Sequence, residues 1–266
     1  MPYSASSSFA NVCGHRIEYQ LIPEKSAGPA LVFLHEGLGS IGQWRDFPAR
    51  VAAATGLPAL IYSRYGYGQS DVLEQPRQSD FMHREALEAL PELLRQLEIA
   101  RPILIGHSDG ASISLIYAGA GLPAAAVAVM APHVSIEDKN IAGIVAAKKT
   151  FETTDLAQRL GRYHRDPVKT FRGWCDAWLA PEFRDWNIEN YLAGIDCRLL
   201  AIQGDGDEYG TMEQLDSIAR HVAGPVELVK LEGCGHSPHK DQPEKAFACI
   251  VSFVERCVGQ EQEQKR

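Results

Sequence analysis

Short apolar runs alternate with amphipathic stretches along the chain. Residues 30–34, 58–62, 102–105, 126–130, 199–202 and 226–229 are of strand length and almost wholly apolar. Between them lie helical patterns such as residues 81–97, where Leu87, Leu90, Leu94 and Leu97 recur at helical spacing. Strand–helix repetition with strands apolar on both faces predicts an α/β fold: a mostly parallel central sheet with helices on both faces. In such a sheet, ligands gather at the carboxyl ends of the strands.

The rhythm breaks once. From residue 139 to 195 there is helical pattern and no strand candidate, and Trp174, Trp178 and Trp186 fall inside it. Nine Lys+Arg against seven Asp+Glu also make this stretch mildly basic in an acidic chain. It reads as a helical cap or lid lying over a core built from residues 1–138 and 196–266. Its tryptophans imply an apolar or aromatic pocket.

Composition narrows the partners. Of 266 residues, 45% are hydrophobic and 23% charged, ordinary for a globular chain. A formal net charge of −8 speaks against nucleic acid or an anionic membrane and for a small-molecule substrate. The longest apolar run, residues 124–131, falls well short of the ~20 residues that span a bilayer. Residues 1–8 carry no basic or apolar signal pattern, so the cytoplasm is the expected compartment. Six cysteines include no C-x-x-C pair and read as scattered buried thiols, with no metal site expected. Nothing in the pattern fixes an oligomeric state.

The strongest local signal is Gly106-His107-Ser108-Asp109-Gly110, a G-x-S-x-G placed directly after an apolar run and before a helical stretch. A serine on a sharp strand-to-helix turn needs a strained backbone, and small flanking residues let strand and helix approach. Such a serine stands above the sheet's carboxyl edge, beside a positive helix N-terminus. Its hydroxyl is a poor nucleophile until a base takes the proton, so a histidine and an orienting carboxylate should follow. Downstream, Gly204-Asp205-Gly206-Asp207 and Gly233-Cys234-Gly235-His236 each close an apolar run. Asp205, Glu137 and Asp138 are rival acids to Asp207, and His239 is a rival base. His107 reads as packing under the turn.

These motifs together resemble the α/β-hydrolase fold superfamily, as a capped serine hydrolase of esterase type. The likeness spans residues 30–258. His35-Glu36-Gly37-Leu38-Gly39 stands where relatives carry H-G-x-x-G, and Gly66-Tyr67-Gly68-Gln69-Ser70 where they carry G-x-G-x-S. The resemblance implies Ser108 as nucleophile, His236 as general base and Asp207 as its orienting acid. It also implies an oxyanion hole from the backbone N–H groups of Gly37 and Asp109. No cofactor is called for. The implied reaction is hydrolysis of a small carboxylic ester, lactone or thioester through an acyl-enzyme. The alternatives are a C–C bond hydrolase or acyltransferase on the same residues, and a non-catalytic small-ligand receptor.

Two positions depart from the family pattern. Glu36 replaces a common glycine, and Asp109 follows the nucleophile, so both oxyanion donors are flanked by carboxylates. A unit charge ~4 Å from a developing oxyanion opposes it by about 4 kcal/mol at an effective dielectric of 20. Three outcomes are open. Asp109 can turn away into the first turn of its helix, it can be protonated or paired with a cation such as Arg64 or Lys240, or Glu36 and Asp109 can face the pocket and recognise a cationic substrate.

Overall fold

The computed structural model describes residues 7–23 and 29–264, so the expectation drawn from the first eight residues lies largely outside the described part. Strands β1 (Ser8–Val12), β2 (His15–Ile22), β3 (Leu31–Leu34), β4 (Ala59–Ser63), β5 (Ile103–His107), β6 (Ala126–Met130), β7 (Arg198–Gly204) and β8 (Val226–Leu231) form one sheet. Their spatial order is β1-β2-β4-β3-β5-β6-β7-β8. Neighbours from β4 to β8 run parallel, whereas β1–β2 and β2–β4 are antiparallel. The six apolar runs are all strands. β1 and β2 are the additions, and β2 has no continuous run because Arg16, Glu18 and Gln20 interrupt it.

Alternation along the strands divides the core. Val32, Leu34 and Leu104 point to one face, while Leu31, Phe33, Ile103 and Ile105 point to the other. The helices are α1 (Phe47–Thr55), α2 (Phe81–Arg84), α3 (Leu90–Gln96), α4 (Asp109–Gly119), α5 (Asp138–Thr153), α6 (Leu156–Leu160), α7 (Pro167–Leu179), α8 (Glu189–Leu192), α9 (Glu213–His221), α10 (Pro238–Asp241) and α11 (Pro243–Gln264). Phe47 and Val51 of α1 and Ile250 and Phe253 of α11 cover the second face. Residues of α3, α4, α7 and α9 cover the first.

Residues 81–97 are not one regular helix. A π-helical turn over Glu85–Ala89 separates α2 from α3. The extra residue per turn rotates the apolar face, so Leu87, expected inside, is exposed while Leu90 and Leu94 are buried. Between β6 and β7 the chain runs through α5, α6, α7 and α8, with a single antiparallel bridge from Ser135 to Asn187. Helix α7 buries Phe171, Trp174, Cys175 and Trp178 on one side, the spacing of an amphipathic helix seated on a core. Cys175, Cys234 and Cys257 are buried free thiols, whereas Cys13 is exposed. No helix among the described residues is long and apolar enough to cross a membrane.

Candidate active site

The turn from β5 into α4 has the strain that its sequence requires. Ser108 sits at φ 53° and ψ −118°, a region that costs a non-glycine residue about 1–3 kcal/mol. Its N–H donates to the Met130 carbonyl at 3.0 Å, and its carbonyl accepts from the N–H groups of Ala111 and Ser112. A Cβ on Gly110 would lie 2.1 Å from the Leu34 carbonyl oxygen, and one on Gly106 would lie 2.4 Å from that of Gly110. Only hydrogen fits at either place, which is why both flanking positions are glycine.

His236 follows β8 and Asp207 follows β7, so the three sequence-selected side chains meet at the carboxyl edge of the sheet. His236 Nε2 is 2.9 Å from Ser108 Oγ, and His236 Nδ1 is 2.8 Å from Asp207 Oδ1. Asp207 is fully buried and accepts further from the Tyr209 N–H at 2.8 Å and from Gln203 Nε2 at 3.2 Å. Burial alone would raise its pKa; the hydrogen bond and proximity of His236 and the Tyr209 N–H outweigh that and hold it below the usual carboxylate range. The rivals are engaged elsewhere. Asp205 accepts from the Gly233 N–H, Glu137 caps α5 and accepts from the Thr211 N–H, Asp138 lies by Arg184, and the His239 ring packs on Trp44.

A cavity of about 230 Å³ opens beside Ser108, lined by Glu36, Gly37, Asp109, Trp174, Trp178 and His236 among others. Trp186 is not in its wall: that ring stacks on Phe183 at 5.4 Å in the core, so only two of the three expected tryptophans reach the pocket. Trp174 presses on Gly37 so closely that a Cβ there would lie 2.0 Å from the indole nitrogen. The backbone N–H groups of Gly37 and Asp109 have no acceptor among the described residues.

Both unusual carboxylates are paired inside the protein. Asp109 is fully buried; its Oδ1 accepts from Trp178 Nε1 at 3.2 Å, and Arg64 Nη2 lies 3.8 Å from Oδ2. Burial raises its pKa, and Arg64 opposes the rise. Glu36 accepts from Lys240 Nζ at 2.9 Å and faces His107 Nδ1 at 2.6 Å. Burial works against its charge, but Lys240 and His107 hold the carboxyl well below its ordinary range. Asp109 is thus paired with Arg64, one of the outcomes left open for it, and Glu36 is held by Lys240.

Other groups at the site carried no sequence motif. Arg64 directly follows β4 and also donates to the Glu36 carbonyl at 2.9 Å. His133 is buried with its ring stacked 5.7 Å from that of His236. Asn140 Nδ2 is 3.2 Å from His133 Nδ1, and burial, reinforced by His236, drives the His133 pKa down to about 3. Position just past the end of β6 was the available signal for His133. Glu36, His107 and His239 bring ligand-type atoms within 4.8 Å of one another. As a metal site this set is poor, since His107 is committed on both nitrogens and Lys240 already holds Glu36.

Comparison with known proteins agrees with the fold. A model of the alpha/beta hydrolase family matches residues 31–248. The sn-1-specific diacylglycerol lipase ABHD11 of Mus musculus is 22% identical over 283 residues, covering 90% of this chain and 85% of that protein. Among solved structures, a bacterial membrane phospholipase A described as a virulence factor superposes with a TM-score of 0.78 at 16% identity, over 95% of this chain and 86% of that one. An esterase from Exiguobacterium antarcticum gives 0.72 at 19% identity, over 94% and 100%. The structural likenesses show the fold alone; the family match covers most of the chain. The chain thus belongs to the alpha/beta hydrolase family and is a hydrolase.

Proposed function

We propose that the protein is a cofactor-independent serine hydrolase of small, neutral carboxylic esters, lactones or thioesters. The observation that carries this reading is the continuous line Asp207 Oδ1, His236 Nδ1, His236 Nε2, Ser108 Oγ, with gaps of 2.8 and 2.9 Å, ending on a cavity. His236 takes the Ser108 proton on Nε2 as Oγ attacks the substrate carbonyl. Asp207 fixes the ring so that Nδ1 keeps its hydrogen and Nε2 remains the base. The oxyanion falls to the N–H groups of Gly37 and Asp109, each worth about 3 kcal/mol in the transition state. The same proton then passes to the leaving alcohol or thiol, and a water activated by His236 hydrolyses the acyl-enzyme. Residues 139–195 act as the cap, with Trp174 and Trp178 as its pocket wall.

Labelling with a fluorophosphonate tests the reading. Wild-type protein should form a stoichiometric adduct on Ser108 and hydrolyse p-nitrophenyl acetate, and His236→Ala should lose both. Tight binding of a small ligand with no adduct and no turnover overturns the enzymatic reading in favour of a receptor.

A further inference from the structure

Behind Ser108 runs a chain of contacts that the proposed reaction does not yet use. Lys240 Nζ donates to Glu36 Oε1 at 2.9 Å, His107 Nδ1 lies 2.6 Å from Glu36 Oε2, and His107 Nε2 lies 2.8 Å from the backbone carbonyl oxygen of His236. The carbonyl can only accept, so Nε2 carries a hydrogen. Glu36 Oε2 faces the other ring nitrogen, Nδ1. The His107 ring is fully buried, and with both nitrogens engaged it has one orientation. Its other ring neighbours, Trp44 at 6.5 Å, His239 at 4.8 Å and His236 itself at 5.2 Å between ring centroids, contribute ring packing. Neither nitrogen of His239 has a hydrogen-bond partner among the described residues.

The residues so joined sit next to each functional group of the proposed site. Glu36 precedes Gly37, His107 precedes Ser108, and the carbonyl belongs to His236 itself, with Lys240 four residues further on. The bridge therefore ties the loop leaving β3 to the carboxyl end of β5 and to the loop leaving β8, which lies three strands away from β5 in the sheet. We propose that Glu36 and His107 are positioning residues that fix the His236 imidazole against Ser108 and hold the Gly37 N–H in register with both. This rests on the serine-hydrolase reading. Misplacement of such groups by about 1 Å costs on the order of 100-fold in rate, and loss of an outer partner about 10- to 100-fold.

The test uses the full chain, p-nitrophenyl acetate kinetics and the rate of fluorophosphonate labelling. His107→Phe keeps a ring and removes both nitrogens; kcat and labelling rate should fall about 10- to 100-fold while KM stays within about threefold. Glu36→Leu should fall likewise. Glu36→Gln can accept from Lys240 and still hydrogen-bond Nδ1 of His107, leaving the bond to the His236 carbonyl intact, and should recover about tenfold or more over Glu36→Leu. Thermal melting monitors folding, and the half-buried Glu36 pair of variants carries the test if His107→Phe fails to fold. Wild-type labelling rates in His107→Phe, or equal losses in Glu36→Gln and Glu36→Leu, overturn the positioning role alone. A wild type that neither labels nor turns over overturns the hydrolase reading and this inference with it.

Discussion

Asp109 lies fully buried beside Ser108, and its side chain is tolerated because two residues from distant elements meet it. Arg64 supplies a cation at 3.8 Å and Trp178 a hydrogen bond at 3.2 Å, while Oδ2 has no hydrogen-bond partner of its own. A carboxylate so sparsely served depends on each partner. Arg64→Met should destabilise the protein by about 3–5 kcal/mol, since it leaves a buried charge uncompensated, and Trp178→Phe by about 1–3 kcal/mol. Urea unfolding measures both, and an Arg64→Met variant within 1 kcal/mol of wild type contradicts the account. His133 makes a second, pH-dependent prediction. Its folded pKa is depressed to about 3 from an ordinary 6.5, mainly by burial. Between those values the unfolded chain binds a proton at this residue that the folded chain refuses. Stability is therefore lost as pH falls from about 6.5 towards 3, by up to about 1.4 kcal/mol per pH unit from this residue. His133→Gln should show a pH dependence shallower by that amount over pH 4.5–6.5.

At the scale of elements, the parallel half of the sheet was legible because each of its strands is apolar on both faces, as burial on both sides demands. β2 was not, because its polar residues are served by β4 and the loop that follows it: Glu18 is buried and accepts from Ser63 Oγ and the Gln69 N–H. No apolar run marks such a strand. The interruption of residues 81–97 was illegible for a related reason, since Glu85–Ala89 carries good helix-forming residues and only the observed exposure of Leu87 betrays the rotated face. Ser108, Asp207 and His236 were legible through glycine spacing, and the glycines there have a steric cause. Arg64 was legible only as one of two cations able to pair with Asp109, and His133 had no spacing to announce it, because their partners come from other elements. The β5–α4 junction makes the steric cause testable. Gly110→Ala forces a methyl to within 2.1 Å of a backbone oxygen that cannot move without shifting β3, so it should cost about 3 kcal/mol or more. A Gly110→Ala protein melting within about 2 °C of wild type would contradict it.

Considered whole, the molecule places a small cavity between the sheet edge and the helices of residues 138–192. At about 230 Å³ it lies below the usual range of roughly 300–1,000 Å³ for small-molecule sites. Its depth is limited from the sheet side by Gly37 and from the helical side by Trp174, which touch. The nearby cations Arg64 and Lys240 are paired with Asp109 and Glu36, so neither is free to draw an anionic acyl group. For the proposed hydrolase, both facts disfavour long and anionic acyl groups. Across a p-nitrophenyl ester series, kcat/KM for acetate and butyrate should exceed that for laurate by about tenfold or more, because a pocket that cannot take the added methylenes loses about 1–3 kcal/mol. Trp174→Ala removes the opposing wall, so it should narrow that ratio chiefly by raising the laurate value. A laurate preference in the wild type would mean that the helices of residues 138–192 move well away from Gly37 when substrate binds, and that the closed cavity is not the one in which acyl transfer occurs.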